Sequence, residues 1–140
     1  MKIKLLDENC KPLRAHPTDS GLDLRARIGP GAKIVIWPAC TVVVPVGIAI
    51  ELPPGLEGQI RPRSGLSKRG IIAAFGTIDN GYRGEIKVAL TNTTGNRVYI
   101  KPYDRIAQMV IAPVVVLGIE YVDKLSETER GEKGHGSTGI

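Results

Sequence analysis

Short apolar segments, repeatedly interrupted by glycine and proline, set the strongest limit on how this chain can fold. The 140 residues include 17 glycines and 10 prolines, which disfavour long helices and supply turns. The segment GEIKVALTN shows the pattern clearly, because Ile86, Val88 and Leu90 point one way and Glu85, Lys87 and Thr91 the other, as in a strand with one buried face. The sequence therefore predicts an all-β chain of many short strands, arranged as a sandwich, jelly roll or barrel.

Eight segments rich in β-branched residues predict strands. Pro45 and Pro113 remove ladder donors and predict an edge, a bulge or a strand switch. Helical turns are expected only at Ser64–Gly70 and at Ser126–Arg130, the second of which has capping-box spacing. The predicted strands are Lys2–Leu6, Lys33–Trp37, Thr41–Leu52, Gln59–Pro62, Gly84–Asn92, Arg97–Ile100, Arg105–Ala112 and Val114–Val122.

The length suits one domain with a small core. Apolar residues make up 42% and aromatic residues 4%, so we expect a core of Val, Ile, Leu and Ala. No apolar run approaches the roughly 20 residues that span a bilayer, and no secretory leader follows the first lysines. We therefore expect no membrane partner and a cytoplasmic location, or a nuclear one if the source is eukaryotic or viral.

The two cysteines, Cys10 and Cys40, show neither CxxC spacing nor a matching histidine cluster for zinc. Two free thiols in a reducing compartment is the simpler interpretation, and the sequence leaves a disulfide open.

The net charge of +5 favours anionic partners, either nucleic acids or phosphorylated small molecules, although such charges also suit a solvated surface. Modules that bind nucleic acid usually interleave basic and aromatic residues on one face. This chain has one Trp and one Phe, so we do not expect a nucleic-acid partner. The basic clusters are Arg61, Arg63, Lys68 and Arg69, and then Arg130 and Lys133.

Arg63-Ser64-Gly65 follows a predicted strand and opens a predicted helical turn. A hydroxyl, accessible N–H groups and a helix N-terminus favour an anion there. An N-cap serine beside a surface arginine is the structural alternative. Similarly, Gln108 lies within an apolar strand, so it needs a structural partner or a phosphate.

Asp79 ends a short apolar strand and precedes the turn at Asn80-Gly81. It is either the acceptor of an Asx-turn or a carboxylate base on a rigid hairpin, with Tyr82 covering a sugar or a base. Asp23 is a second candidate; its structural alternative is a surface pair with Arg25 or Arg27, which contributes about 0–1 kcal/mol.

The last fifteen residues, SETERGEKGHGSTGI, contain too little apolar surface to offset the entropy of ordering. We therefore expect a β domain over residues 1–125 and a mobile arm over residues 126–140. The glycines and hydroxyls of residues 134–139 suit a backbone that wraps a phosphate.

Five segments in this order cover nearly the whole chain. They are DSGLDLRA (Asp19–Ala26), RPRSGLS (Arg61–Ser67), GTIDNGYRGEI (Gly76–Ile86), YDRIAQMVI (Tyr103–Ile111) and RGEKGHGSTG (Arg130–Gly139). Together they resemble the five motifs of the homotrimeric dUTP pyrophosphatase (dUTPase) family. The resemblance implies a distorted jelly-roll-like β-barrel and a homotrimer with active sites between subunits. It also implies Mg²⁺-dependent hydrolysis of dUTP to dUMP and pyrophosphate, which keeps uracil out of DNA and supplies dUMP for thymidylate synthesis.

The resemblance also assigns roles to residues. Asp79 would deprotonate the water that attacks the α-phosphorus, and Tyr82 would stack beneath the deoxyribose and exclude a 2′-hydroxyl. Asp23 would orient Mg²⁺ through water, while the triphosphate holds the ion. The other substrate-binding residues would be Gly76, Thr77 and Ile78 at the uracil edge, Lys87, then Arg63, Ser64, Gly65 and Gln108 at the phosphates, and Arg130, His135, Gly136, Ser137 and Thr138 in the closing arm.

Two positions depart from the family pattern. Family members usually carry Phe where this chain has His135, so we expect stacking on uracil to depend on pH around the pKa of His135. Many bacterial members carry Asn where this chain has Ala73, so uracil recognition is expected to rely on the backbone. The nearest rival is a dCTP deaminase of the same fold, which ammonia release from dCTP would identify.

Overall fold

The computed structural model describes residues 1–132, which form an all-β fold. This part of the chain contains eleven strands, a 3₁₀ turn at Glu8–Cys10 and one short helix, α1 (Ser64–Ser67). The strands are β1 (Lys2–Leu5), β2 (Gly21–Arg25), β3 (Ile34–Ile36), β4 (Thr41–Pro45), β5 (Ile48–Glu51), β6 (Leu56–Arg61), β7 (Ile71–Ala73), β8 (Gly76–Ile78), β9 (Lys87–Asn92), β10 (Val98–Ile100) and β11 (Arg105–Pro113).

The strands pair antiparallel in four sheets. The largest has the order β2-β11-β6-β8, and a second has the order β4-β9-β7. Two-stranded ribbons, β1-β5 and β3-β10, complete the set. The prediction of an all-β chain is confirmed, but the hydrogen-bonded ladders of residues 1–132 do not close into the predicted barrel.

The core lies between these sheets and consists almost entirely of Val, Ile, Leu and Ala, as the composition predicts. Met109 is fully buried among them, and Asn92 is the buried polar exception within the described part of the chain. Asn92 is satisfied because its side-chain amide donates to the Ile36 and Asn96 carbonyls at 3.0 and 2.7 Å. The side chains on β9 alternate between burial and exposure, which confirms the period-two pattern.

The predicted strand Thr41–Leu52 is two strands, because the chain leaves one sheet after Pro45 and enters another at Ile48. This is the strand switch that Pro45 predicts. Gly47 makes the switch possible, since its φ is +68° and a Cβ there would lie 2.7 Å from the Cβ of Cys10.

Two predicted elements at the C-terminal side are wrong. Val114–Val122 is not a strand: after Pro113 ends β11, the Val114 N–H donates to the Gly55 carbonyl, and the following apolar side chains are exposed. Within residues 1–132, this segment pairs with no sheet edge. Ser126–Arg130 is not helical, because five residues without packing do not offset the cost of helix nucleation.

Two short strands, β2 and β7, were not predicted from the sequence, and the helix at Ser64 is shorter than expected. β2 begins with Gly21 and carries charged residues, while β7 has only three residues. Both cysteines are free, as expected. Burial raises the pKa of the Cys10 thiol to about 11, with Asp7 adding to the effect. Among residues 1–132, no helix is long and apolar enough to cross a membrane.

Candidate active site

A cleft lies where β2, β6 and β11 meet the start of α1; we call it the basic pocket after Arg63, and the carboxylates of Asp19 and Asp23 line it as well. Its volume is about 300 Å³. The register explains its composition, since Gln108 on β11 faces Asp23 on one side and Arg61 on the other. The lining residues are Ala15, Asp19, Ser20, Gly21, Asp23, Arg63, Ser64, Gly65 and Gln108.

Asp23 is the electrostatic centre of the basic pocket. Its Oδ1 lies 2.7 Å from Nε of Arg63, and its Oδ2 lies 3.1 Å from Nη1 of Arg105. The predicted alternative, a pair with Arg25 or Arg27, is wrong: Arg25 donates to the Tyr103 carbonyl and Arg27 pairs with Glu85. The Asp23 carboxylate therefore holds two guanidinium groups at the cleft.

The Gln108 side chain crosses the floor of the pocket. Its Nε2 donates to the Pro62 carbonyl at 2.9 Å, just before the Arg63-Ser64-Gly65 segment. The side chain lies over Gly21, where an added Cβ would overlap the Gln108 Oε1. A side chain at Gly21 would therefore displace the Gln108 amide, and the polar side chain in the apolar strand has a structural partner.

Ser64 and Gly65 are exposed at the start of α1. Helix bonds begin beyond them, because the Leu66 and Ser67 N–H groups donate to the Arg63 carbonyl. Within residues 1–132, no hydrogen bond uses the N–H groups of Ser64 and Gly65. With the Ser64 hydroxyl and Arg63, they supply donors suited to an anion such as a phosphate.

A second cleft, of about 220 Å³, lies at the turn between β8 and β9; we call it the carboxylate pocket. Asp79 follows the last residue of β8 and is exposed. Its carboxylate makes no hydrogen bond with any residue of the described chain, so the Asx-turn alternative is not observed. The lining residues are Thr77, Ile78, Asp79, Tyr82, Glu85, Ile86 and Lys87.

Backbone hydrogen bonds brace the turn that carries Asp79. The Tyr82 N–H donates to the Asp79 carbonyl at 3.0 Å. The Asn80 side chain donates to the Leu52 carbonyl, and Arg83 donates to the Asn80 carbonyl, both at 2.6 Å. The turn is therefore fixed, while no hydrogen bond within residues 1–132 occupies the carboxylate oxygens of Asp79.

The Tyr82 ring folds back across its own turn. Its hydroxyl donates to the Glu85 carbonyl at 3.0 Å, and a Cβ at Gly84 would lie 2.6 Å from the ring carbon Cζ. The absence of a side chain at Gly84 therefore lets the ring lie along the wall of the pocket.

Glu85 ties the turn to the body of the fold. Both of its carboxylate oxygens accept from Arg27, at 2.8 and 2.7 Å, and Oε1 also accepts from the Gly47 N–H at 2.9 Å. The Arg27 hydrogen bond holds the pKa of the Glu85 carboxyl below its ordinary value; burial opposes this shift and the Gly47 bond supports it.

The two pockets share no lining residue, and the strand register explains their separation. β8 runs antiparallel to β6, with Ile78 opposite Gly58 and Gly76 opposite Ile60. Asp79 therefore lies near the start of β6, level with Glu57, whereas Ser64 lies beyond its end. At about 3.3 Å per residue, the strand alone separates the two ends by well over 10 Å. One chain does not bring Asp79 and Ser64 to the same phosphate.

The predicted site residues thus divide into two groups. Asp23, Arg63, Ser64, Gly65 and Gln108 meet in the basic pocket, and Thr77, Ile78, Asp79, Tyr82 and Lys87 meet in the carboxylate pocket. Gly76 pairs with Ile60 beside the second group, and Arg130 lines neither pocket. His135, Gly136, Ser137 and Thr138 lie outside the described residues.

Three residues at these pockets were not singled out from the sequence: Asp19, Glu85 and Arg105. Arg105 and Glu85 stand within motif segments, but only the fold reveals their ion-pair partners. Ala73, the second departure from the family pattern, is 3% exposed in the core, so its side chain does not reach either pocket.

The described elements define an all-β protein with a basic pocket and a separate, exposed carboxylate on a braced turn. The model of the dUTPase family matches residues 8–139, and the chain belongs to that family. It is 50% identical over 132 residues to the deoxyuridine 5′-triphosphate nucleotidohydrolase of Gloeothece citriformis (strain PCC 7424), covering 92% of this chain and 88% of that protein.

The corresponding protein of Orientia tsutsugamushi (strain Ikeda) is 48% identical over 149 residues, covering 100% of this chain and 99% of the relative. Among solved structures, the G164S mutant of the Staphylococcus bacteriophage 80alpha dUTPase with dUpNHpp superposes with a TM-score of 0.86. It is 28% identical, and the match covers 99% of this chain and 98% of that one. These likenesses extend over the whole fold and support an enzyme of the dUTPase class.

Proposed function

We propose that this protein hydrolyses dUTP to dUMP and pyrophosphate in sites that combine the carboxylate pocket of one subunit with the basic pocket of another. The observation that carries the proposal is the separation of the two pockets at opposite ends of β6. A base and a phosphate-binding group must act on one triphosphate, so a second subunit has to supply the missing half. The resemblance to the dUTPase motifs implies that this assembly is a homotrimer.

Asp79 is the base in this proposal. A carboxylate is a weak base, so its position must compensate for its low basicity. The fixed turn supplies that position, and the Asp79 carboxylate has no hydrogen-bond partner within residues 1–132. Asp79 takes a proton from water, the water oxygen bonds to the α-phosphorus, and the bond from that phosphorus to the bridging oxygen breaks to release pyrophosphate.

The nucleoside lies in the carboxylate pocket. The Tyr82 ring packs against the deoxyribose and leaves no space for a 2′-hydroxyl. The backbone of Gly76–Ile78 faces the uracil edge, and Lys87 lines the same cleft. Recognition by backbone groups suits a chain that has Ala73 buried in its core, since that side chain cannot contribute.

The phosphates lie in the basic pocket of the neighbouring subunit. A triphosphate carries about four negative charges, which must be offset before an anionic nucleophile approaches. Arg63, held by Asp23, and the donors at Ser64 and Gly65 supply part of that charge compensation, and Gln108 supports the segment from below.

Mg²⁺ supplies the remaining charge compensation when it is bound to the triphosphate. No group of three or more His, Cys, Asp or Glu side chains within residues 1–132 suits a metal ion. This fits an ion held mainly by phosphate oxygens and water, which Mg²⁺ commonly prefers. Because both Asp23 oxygens already bind guanidinium groups, Asp23 fits a contact with the ion through water.

The segment after β11 supports assembly between subunits. Val115, Val116, Leu117, Ile119 and Tyr121 are each at least 78% exposed. An apolar run of this exposure favours burial against another surface. We propose that it packs on a neighbouring subunit and directs the arm, residues 126–140, over a bound nucleotide, with Arg130, His135, Gly136, Ser137 and Thr138 closing the site.

Substrate choice is tested with Mg²⁺ and equal concentrations of dUTP, dTTP, dCTP and UTP, with pyrophosphate and ammonia measured separately. We expect pyrophosphate from dUTP alone. Comparable release from UTP would refute the role of Tyr82, and ammonia from dCTP would indicate a deaminase instead.

Site sharing is tested by mixing two inactive variants, Asp79→Asn and Ser64→Ala, and allowing subunits to exchange. In a cyclic trimer with random mixing, about one quarter of the sites receive an intact half from each chain type. Activity near that fraction is expected. A mixture that stays as inactive as its components, although native mass measurement shows mixed trimers, would place the whole site within one chain.

A further inference from the structure

The outer face of the β3-β10 ribbon combines aromatic rings with cations, and it lies outside all five motifs. Strand alternation buries Ile36 and Ile100 and turns their neighbours outward. Lys33, Val35 and Trp37 lie on the outer side of β3 and its flanks, with Arg97, Tyr99 and Lys101 beside them on β10 and its flanks. We call these six residues the cation–ring face.

Two cation–π contacts organise this face. The Arg97 guanidinium lies 3.8 Å from the centroid of the Trp37 ring, and the Lys33 ammonium lies 4.6 Å from that of Tyr99. The rings remain available, since Trp37 is 50% and Tyr99 45% exposed. Within the described chain, neither Arg97 nor Lys33 forms an ion pair with a carboxylate. The cations can therefore meet an anion without breaking a salt bridge.

The spacing of the rings suits a chain of stacked units. Trp37 follows β3 by one residue, and Tyr99 pairs with Val35, two residues before Trp37. At about 3.3 Å per residue, the positions of Trp37 and Tyr99 are offset by roughly 7 Å along the ribbon. One unit of an extended nucleotide chain can span that distance. Flat rings at that interval, each with a cation over one face, match alternating bases and phosphates.

The face also continues toward further positive charge. Tyr99 lines a cavity of about 330 Å³ together with Arg63, Arg69 and Arg105. Asp104 is the carboxylate in that lining, and it accepts a hydrogen bond from the Lys101 backbone. The balance in this region is positive, in keeping with a net charge of +5 for the chain.

We propose that the cation–ring face binds single-stranded nucleic acid, with bases stacked on Trp37 and Tyr99 and phosphates held by Arg97, Lys33 and Lys101. Single-stranded sites of this kind combine aromatic stacking platforms with a basic surface and tolerate many sequences. An acidic peptide would use the cations but not the rings, so the exposed aromatics favour nucleic acid. Although aromatic residues are scarce in the sequence, the fold gathers two of them among cations, contrary to the expectation that the chain has no nucleic-acid partner.

Trp37 is the only tryptophan of the chain, so its fluorescence reports on the proposed contact directly. The assembled protein, saturated with dUpNHpp to occupy its catalytic sites, is titrated with a 5′-hydroxyl oligodeoxythymidylate of about 10 nucleotides. Saturable quenching is expected, and a duplex of equal length should quench far less. Trp37 that resists acrylamide in the free protein would mean that another subunit covers the face, and would overturn the proposal.

Variants separate stacking from charge when binding is followed by the anisotropy of a labelled oligonucleotide. Trp37→Ala should weaken binding about 5- to 150-fold with an unchanged salt slope, and Trp37→Tyr should recover part of the loss. Arg97→Ala should reduce the slope of log affinity against log salt by about 0.7. Lys4→Ala, which removes an exposed charge on β1, is the matched control.

Hydrolysis of dUTP by these variants should stay at the wild-type rate, because neither Trp37 nor Arg97 lines the two pockets. Affinity that is unchanged in Trp37→Ala, or full competition by inorganic polyphosphate without any fluorescence change, would show plain polyanion binding and would overturn the stacking proposal.

Discussion

Asp23 in the basic pocket and Asp79 in the carboxylate pocket have opposite surroundings. Asp23 has a side chain only 16% exposed, and both of its oxygens meet arginine guanidinium groups. Asp79 is exposed, and its carboxylate has no hydrogen-bond partner within residues 1–132. The paired carboxylate of Asp23 therefore suits the positioning of cations, whereas the Asp79 carboxylate can accept a proton without first breaking an ion pair within residues 1–132.

The pockets also differ in what maintains their shape. Side-chain pairs between distant segments build the basic pocket, as with Asp23 and Arg105 on adjacent strands. Local backbone bonds build the carboxylate pocket, and it is tied to the rest of the fold through Asn80 and Glu85. Substitutions in the first pocket should therefore affect stability and binding together, whereas those in the second should separate turnover from stability.

The largest effect is expected for Asp79→Asn. Loss of the base should lower kcat by about 10²–10⁴-fold, while dUpNHpp binding and the melting temperature stay near wild type. Pyrophosphate release, calorimetric titration and thermal unfolding measure the three quantities. Asp123→Asn, an exposed aspartate outside both pockets, is the control. Retained turnover in Asp79→Asn would remove the distinction between the two aspartates.

Asp23→Asn should impair substrate binding more than the chemical step. Without the carboxylate, the Arg63 and Arg105 guanidinium groups repel each other and lose their fixed positions. We expect KM for dUTP to rise about tenfold, with stability reduced by about 1–2 kcal/mol, a range lowered for the solvent exposure of Arg105. Steady-state kinetics and chemical unfolding test this. A loss confined to kcat would contradict the positioning role.

Gly84→Ala probes the carboxylate pocket through the Tyr82 ring. The new Cβ would meet ring atoms, so the ring must move out of the pocket wall. We expect kcat/KM for dUTP to fall about tenfold and discrimination against UTP to weaken. Gly81→Ala is the matched control in the same turn, because a Cβ there meets no atom within 4 Å. Equal behaviour of the two variants would argue against the ring as the selective element.

The smallest effect is the acid sensitivity that Glu85 contributes. Its folded-state pKa is lowered, so its pairing stabilises the fold above the ordinary glutamate pKa of about 4.3 and is lost as pH falls through the folded-state pKa. Because Arg27 is 41% exposed, we expect only about 1 kcal/mol.

Unfolding measured between neutral pH and the acid range should show a flatter loss of stability in Glu85→Gln than in wild type. Glu51→Gln is the matched comparison, since Glu51 pairs with Lys2 at the surface and its pKa is also lowered. An equal effect of the two variants would show that the tie between Glu85, Arg27 and Gly47 adds nothing beyond a surface pair.

Much of the fold can be predicted from short-range patterns in the sequence. The alternation around Val88 and the switch at Pro45 follow from side-chain period and from the missing donor of proline, both of which are properties of a few neighbouring residues. Val114–Val122 has the same β-branched composition and is not a strand, because a strand needs an edge to pair with. Composition cannot report whether such an edge exists within the chain.

The sequence by itself determined the all-β class, the composition of the core and the identity of the residues that surround Asp79 and Ser64, because periodicity and motif order are written along the chain. Only the tertiary structure decided their partners. It joined Asp23 to Arg63 and Arg105, left Asp79 without a partner among residues 1–132, set the two pockets at opposite ends of β6 and gathered Trp37 with Arg97. These outcomes depend on antiparallel register between segments far apart in sequence, and register is fixed by packing across the whole molecule.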